Sequence, residues 1–450
     1  MKVVVVGGGF AGLSAAITLQ ERRHQVLLLE RRGVLGGRAT SFPDSLSGED
    51  VDNGTHLMIA GYEATLDLVR RAGAADLLLV QDHLRIDWRD ERGWTSLDCP
   101  ALPAPWHLLA GLLPLRLPWR SRLDVARLGL AARMGREPRG LTLAEWLARL
   151  GQTEATRRLL WDPLATAILN ETPERAAAVL FRQAFREAFL RTSGAGRLVF
   201  LRAGYGRLHE RLAAYMQARG GVVRRRALVE AIEVEGGRAC GVRYAQRAEG
   251  KDEIRRGAST RWETAPADAV VAAVPWSVLP ALVPEALRGE PPFSSAARLR
   301  GSPIVSIELW LDRVVLDRPM AGLRDSEVEW AFDKGRLYGR TGAPQHLAFI
   351  VSAARRALPR SNAALAGAAE AALRRYFPDM AGARVVRSLV LREPEATFAC
   401  DPGAEALRPG PETPVRGLVL AGDWTATGLP ATIEGAVRSG RAAAAHVEKR

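Results

Sequence analysis

The chain is 450 residues long, 47% hydrophobic and 25% charged, which is ordinary for a globular protein and leaves room for two or three domains with a sizeable core. Its 63 basic residues, nearly all arginine, outnumber 50 acidic ones and give a formal net charge of +13. Genomic base composition accounts for part of such an excess, and attraction to an anionic membrane surface is the sharper reading; nucleic acid is disfavoured, because no basic block is flanked by aromatics and no reader motif occurs.

Cys99, Cys240 and Cys400 are far apart and show no CxxC and no metal-ligand spacing. No metal site is therefore expected, zinc and iron–sulfur included, and a reducing compartment is. The most apolar run, His107 to Leu117, is short and broken by Pro114 and Arg116, so it does not read as a membrane span. The first strand follows Met1 directly, so no signal peptide is expected. The expected localisation is cytoplasmic, bacterial and peripheral to the membrane.

In chain order, Val3 to Val6 is a buried parallel strand, Ala11 to Leu19 a helix, and Val26 to Leu29 a second strand closing on Glu30. Between the first strand and the helix stands Gly7-x-Gly9-x-x-Gly12. Strand, glycine turn, helix, strand and acid in this order form the dinucleotide fingerprint. Gly7 allows the sharp turn, Gly9 lets a pyrophosphate approach the backbone, and Gly12 lets helix and strand pack closely. The helix N-terminus offers N–H groups and a positive dipole to the phosphates. Glu30 is placed to accept from ribose hydroxyls. Candidate nucleotide-binding residues are Gly7, Gly9, Phe10, Ala11, Gly12, Glu30 and the adjacent Arg31.

Asp52-Asn53-Gly54-Thr55-His56 is a turn with a histidine at its far edge. Leu66 to Ala72 reads as helix, and His83 to Trp94 as two short strands around Asp90 to Gly93. Residues 100–140 change character: prolines punctuate a Leu-, Trp- and Arg-rich stretch in which Leu123 to Met134 can be helical without a single clean apolar face. Segment 105–134 is either a membrane-dipping or substrate-entry element or a lid packed on the core. Thr142 with Glu145 forms a capping box. Helices follow at Trp161 to Asn170, at Ala176 to Leu190, and from Gly204-Tyr205-Gly206 to Arg219. A hairpin crosses Gly236-Gly237, and Ala267 to Val274 is a further strand. Ser302 to Leu311 and Leu347 to Ala353 read as antiparallel strands, and Asn362 to Tyr376 as a helix. The strand Gly417 to Ala421 leads through Gly422-Asp423-Trp424 to a helix from Ala431-Thr432 to His446.

The second glycine turn, Gly36-Gly37-Arg38, resembles that of the FAD-binding flavoproteins that include amine oxidases and carotenoid desaturases. Asp52 to Tyr62, Trp161 to Ala176, Ala396 to Pro402 and Leu420 to Ala443 narrow the resemblance to the squalene-associated FAD-dependent desaturases. The resemblance implies an α/β chain: a Rossmann-like FAD-binding domain (1–82, 201–295 and 401–450) with a discontinuous α+β substrate domain inserted (83–200 and 296–400). It implies FAD as cofactor, held at Gly37 and Arg38, at Asn53 and Gly54, by backbone at Val229 against the adenine, by Gly422 and Asp423 along the ribityl or phosphate part, and by the helix N-terminus at Thr432 and Ile433 against the flavin edge.

The implied activity is reductive dehydroxylation of hydroxysqualene to squalene, as in hopanoid biosynthesis. Carotenoid-type desaturation, amine oxidation and a flavin-bound scaffold without turnover remain open beside it. A departing hydroxide needs a proton donor. His56 is the histidine of the matching motif, with orientation of the Asn-Gly turn as its other reading. No second GxGxxG is present for a nicotinamide cofactor, so the electrons would come from a site without a sequence motif or from a partner. A long apolar isoprenoid is expected in a tunnel lined by Leu, Ile, Val, Phe and Trp. Its walls would be the helices at 161–170 and 176–190 and the strand at 302–311, with its mouth near 105–134.

Overall fold

A computed structural model describes residues 1–103, 106–246 and 262–449. Residue 105 of the expected entry segment lies outside them. The apolar run Lys2–Val6 is the middle of a five-stranded sheet in the order Val222–Arg225, Gln25–Glu30, Lys2–Val6, Ala269–Ala272, Leu418–Leu420. Every pair is parallel, and apart from the edge strand Val222–Arg225 the strands read as apolar runs without alternation because both faces are covered. Helix Phe10–Glu21 packs against the C-terminal helix Ile433–Val447. A Cβ on Gly440 would collide with Ala11 O and stand 2.8 Å from Ala15 N, so glycine sets how close these two helices lie. Ser14 Oγ donates to Val437 O across the same contact at 2.8 Å.

A seven-stranded sheet forms the second layer, in the order Val385–Phe398, Gly301–Leu311, Gln345–Val351, Trp330–Asp333, Met320–Leu323, Arg85–Asp90, Gly93–Asp98. Gly301–Leu311 and Gln345–Val351 pair antiparallel as expected. The outer strand Val385–Phe398 carries Pro394 where the register slips between Ser302 and Ile304. Proline is tolerated there because an edge bulge needs no ladder N–H. Ala227–Glu235, Arg238–Gln246 and Trp262–Pro266 form a three-stranded meander, its first turn at Gly236 and Gly237 with φ of 54° and 74°, as a tight hairpin requires.

Between the sheets' chain segments, residues 119–190 are helical. The capping box at Thr142 is present on both sides: Thr142 Oγ1 accepts from Glu145 N at 3.2 Å and Glu145 returns to Thr142 N at 2.8 Å. The helix expected at 161–170 is present as Asp162–Leu169, and the one expected at 176–190 begins as Ala178–Phe185. A π-helical turn Arg157–Trp161 precedes Asp162–Leu169, and another, Arg186–Leu190, follows Ala178–Phe185. Asp162–Leu169 stops at Asn170, which takes left-handed φ of 50° and is fixed by donating to Ser302 O and Thr397 Oγ1. Among the described residues no helix is long and apolar enough to cross a membrane.

Candidate active site

The first glycine turn folds for reasons visible in the protein itself. Gly7 has φ of 106°, and a Cβ on Gly12 would strike Gly7 O. Gly9 is different: its φ is −81°, and a Cβ there would meet nothing nearer than Gly36 O at 3.7 Å, an ordinary contact. The fold does not require glycine at this position, so its absent side chain fits a ligand passing over the turn. Helix Phe10–Glu21, which Phe10 and Ala11 open, has no side-chain cap and no acid in its first turn, which leaves an N-terminus suited to an anion.

The second turn lies against the first. Gly36 N donates to Gly8 O at 2.9 Å, and Gly9 bridges Gly36. Glu30 is buried at the sheet end and its oxygens accept Gly8 N and Arg32 N, each at 2.8 Å. Arg31 is exposed. Val229 is buried at the start of the meander beside a bulge, and the strand joins the far end of the nucleotide strand through Arg226 N to Arg32 O at 2.9 Å.

The two ends of the chain meet at Arg38. Its guanidinium pairs with Asp423, donates to Ala396 O at 3.2 Å, and stands 5.3 Å over the Trp276 ring. Gly422, with φ of 155°, donates its N–H to Ser439 Oγ at 2.8 Å. Thr432 caps Ile433–Val447 by accepting from Gly435 N at 3.0 Å. Glu434 in that helix accepts from Ala64 N at 3.1 Å and Thr65 N at 2.9 Å, and so anchors the N-terminus of helix Glu63–Arg71.

Asn53 holds the next loop by donating to Arg38 O at 2.9 Å and accepting Thr40 N at 3.0 Å. A Cβ on Gly54 would stand 3.6 Å from Ser306 Oγ and 3.9 Å from His56 Nε2. Both atoms, and Thr55 Oγ1 beside them, are buried without a hydrogen-bond partner. Three orphaned polar atoms around a bare glycine are costly in an isolated protein and fit a ligand that carries donors and acceptors.

His56 borders a cavity of about 10 Å³ lined also by Asp52, Thr55, Tyr205, Lys334 and Tyr338 on its polar side and by Phe200, Leu201, Ala203 and Leu337 on its apolar side. Desolvation brings the His56 imidazole down to about 4, against the attraction of Asp52. It is therefore neutral at physiological pH, which favours its other reading, orientation of the Asn-Gly turn. Its ring stands edge-on to Tyr205 at 5.3 Å, and Tyr205 Oη donates to His56 O at 2.9 Å.

The charged groups here are ones that sequence reasoning passed over. Lys334 Nζ lies 2.5 Å from Asp52 Oδ2, and both side chains are buried. Burial alone would raise the Asp52 carboxyl, but Lys334 together with Ser41 and Tyr338 holds it below its usual value. Tyr338 Oη donates to Asp52 Oδ2 at 2.8 Å. Burial raises the phenols of Tyr338 and Tyr205 well above the usual range, so both keep their protons. One signal was available. In a chain whose basic residues are arginine, lysine occurs only as Lys2, Lys251, Lys334 and Lys449, and Lys334 alone follows an apolar strand. A compact ammonium suits a buried proton-handling site better than a guanidinium.

None of residues 106–134 borders the cavity at His56, and neither do the helices at 161–190. The aromatic residues Trp161, Phe181, Phe185 and Phe189 of those helices pack on one another instead.

A buried clamp ties the loop before Asp52 to the large sheet. His346 Nε2 lies 2.8 Å from Glu308 Oε2, Nδ1 lies 3.0 Å from Glu49 Oε2, and Trp310 stacks on the ring at 4.2 Å. Burial opposes the charge on His346, but hydrogen bonds to Glu308 and Glu49 outweigh it and its pKa is raised from 6.5. Hydrogen bonding to His346 is the main cause that brings Glu49 down from 4.5 to about 2. The signs follow by linkage. The His346 contribution is complete below 6.5 and is lost as pH rises through its raised value. The Glu49 contribution is complete above 4.5 and is lost as pH falls toward about 2. Thermal midpoints measured against pH should peak between those limits, and His346→Gln should flatten the decline on the alkaline side.

The comparisons with known proteins agree with this geometry. The model of the flavin containing amine oxidoreductases matches residues 10–448. The chain is 31% identical to a hydroxysqualene dehydroxylase of Rhodopseudomonas palustris, over 98% of this chain and 97% of that one. It is 27% identical to a 15-cis-phytoene desaturase of Synechococcus elongatus, over 98% and 94%. Among solved structures, an oxidoreductase from Methanosarcina mazei superposes with a TM-score of 0.75 at 19% identity, with all of both chains covered. Cyclohexylamine oxidase from Brevibacterium oxydans gives 0.68 at 16%, covering 100% of this chain and 98% of that one. The fold and site are those of a flavoprotein with a Rossmann-like domain, and the chain belongs to the flavin-containing amine oxidoreductase family. It is an FAD-dependent oxidoreductase. Of the cysteines, Cys99 and Cys400 are buried and Cys240 is half-buried, and no attachment motif surrounds any of them, so FAD is expected to be held without a covalent link. Denaturing the purified protein should release the yellow flavin into the supernatant, and flavin retained on the precipitated chain would contradict this.

Proposed function

We propose that the enzyme reduces an oxygenated isoprenoid, and that the reaction is the dehydroxylation of hydroxysqualene to squalene in hopanoid formation. The observation that carries this is the Lys334–Asp52–Tyr338 group at the His56 cavity. Replacing carbon–oxygen by carbon–hydrogen takes up a hydride and a proton and releases water, so a proton must be held where the oxygen departs. Removing hydrogen from a hydrocarbon polyene sets no such demand. FAD, when bound, supplies the hydride-transferring centre. Lys334 and Tyr338 are the donors at the cavity, and Asp52 holds both in place. Neutral His56 and Tyr205 fix the wall of the site. The similarity to the dehydroxylase from R. palustris supports the same reading.

At about 10 Å³ the cavity has room for about one water molecule, so it would have to widen to take the reacting end of such a molecule. A substrate panel tests the proposal. With a reduced viologen dye as electron donor, hydroxysqualene should be consumed and squalene formed. With a quinone as acceptor, neither phytoene nor an aliphatic amine should be oxidised at a comparable rate. Faster oxidation of phytoene or amine would overturn it.

A further inference from the structure

The helix Trp119–Met134 has two apolar faces. Ser121, Asp124, Val125, Leu128 and Ala132 are buried against the protein. On the opposite side Trp119, Leu123, Ala126, Leu130 and Met134 recur at spacings of three and four residues, one straight stripe of a helix. This stripe faces outward: Trp119 is 68% exposed, Leu123 49%, Leu130 60% and Met134 72%. Arginines border it on both sides, Arg120 and Arg127 along one edge and Arg122 and Arg133 along the other, all exposed. The surrounding turns add exposed Arg116, Arg136 and Arg139 and exposed Trp106 and Leu113, while the exposed acid of residues 106–139 is Glu137.

From this geometry we infer that the helix Trp119–Met134 docks in the plane of an anionic lipid bilayer, its stripe in the acyl boundary and its arginines on the headgroup phosphates. The charge pattern selects this occupant. An apolar ridge between two basic rows matches a surface that is apolar below and anionic above. Pairing the same face with a second copy of the chain would set arginine against arginine. The inference stands on this helix alone and holds whatever the enzyme reduces.

Co-sedimentation of the full-length flavoprotein with vesicles tests it. The protein should pellet with phosphatidylcholine vesicles containing phosphatidylglycerol at low salt, and stay in solution with phosphatidylcholine alone. It should also stay in solution at about 1 M salt, where screening falls to about 3 Å. Trp119→Ser with Leu130→Ser should weaken partitioning on the order of 100-fold. Arg120→Gln with Arg127→Gln should weaken it on the order of 10-fold or more. Both variants should keep the flavin spectrum and thermal midpoint of the parent. Failure of the parent to pellet with the anionic vesicles would overturn the inference, as would variants that pellet like the parent. A parent that sediments as a dimer and becomes monomeric in the Trp119→Ser, Leu130→Ser variant would assign the face to self-association and overturn it too.

Discussion

Gly9→Val should give a folded protein that carries no FAD. The protein side of Gly9 has room for a Cβ, with Gly36 O at 3.7 Å and Gly37 Cα at 3.9 Å, and its φ of −81° suits any residue. The cost to folding is therefore that of valine at a helix N-cap, a few tenths to about 1 kcal/mol relative to glycine. The cost to binding is larger, because the branched side chain fills the approach to the uncapped helix N-terminus. Affinity should fall on the order of 100-fold or more, about 3 kcal/mol. Flavin absorbance per chain after purification reads the loss, and circular dichroism reads the fold. Gly12→Val should behave differently, since its side chain meets Gly7 O: there the turn itself is damaged and stability falls together with binding.

Asp52→Ala should be the most destabilising change at the site. It leaves the Lys334 ammonium buried without its carboxylate and removes the acceptor of Ser41, Tyr338 and Tyr205 N. Breaking one side of a buried ion pair costs about 3–5 kcal/mol. Lys334→Met should cost less, because Asp52 retains three of its donors. The double variant Asp52→Asn, Lys334→Met should recover part of the loss, since no lone charge is left buried. Thermal melting of the flavin-loaded proteins orders the three. A loss in the double variant as large as the two single losses added together would show that the pair is not coupled.

Local structure was legible wherever a residue acts on its near neighbours. The glycine turn, the Thr142 capping box and the helix Asn362–Tyr376 follow from patterns a few residues long. The helix Trp119–Met134 defeated the search for one apolar face because it has two on opposite sides, and a periodicity count cancels them. The edge strand Val385–Phe398 was hidden by Pro394 and by the charges that edge strands carry. The cofactor turns were readable because their glycines are consecutive in the chain. The charged cavity was not, since Asp52, Tyr205 and the turn carrying Lys334 and Tyr338 come from three separate segments. Only the packing of the large sheet against the loop at Asn53 to His56 brings them together. His56 drew attention because it stood inside a recognisable motif, and burial keeps its imidazole uncharged.

The most direct test of the central claim is a single turnover without any external electron partner. The purified flavoprotein would be photoreduced under strict exclusion of oxygen, mixed with hydroxysqualene, and extracted for its lipids. The account predicts one equivalent of squalene per flavin, with the yellow oxidised spectrum returning at the same rate, and a much slower return in Lys334→Met. Unchanged hydroxysqualene after the flavin has been fully reduced, in a protein that binds the lipid, would contradict it.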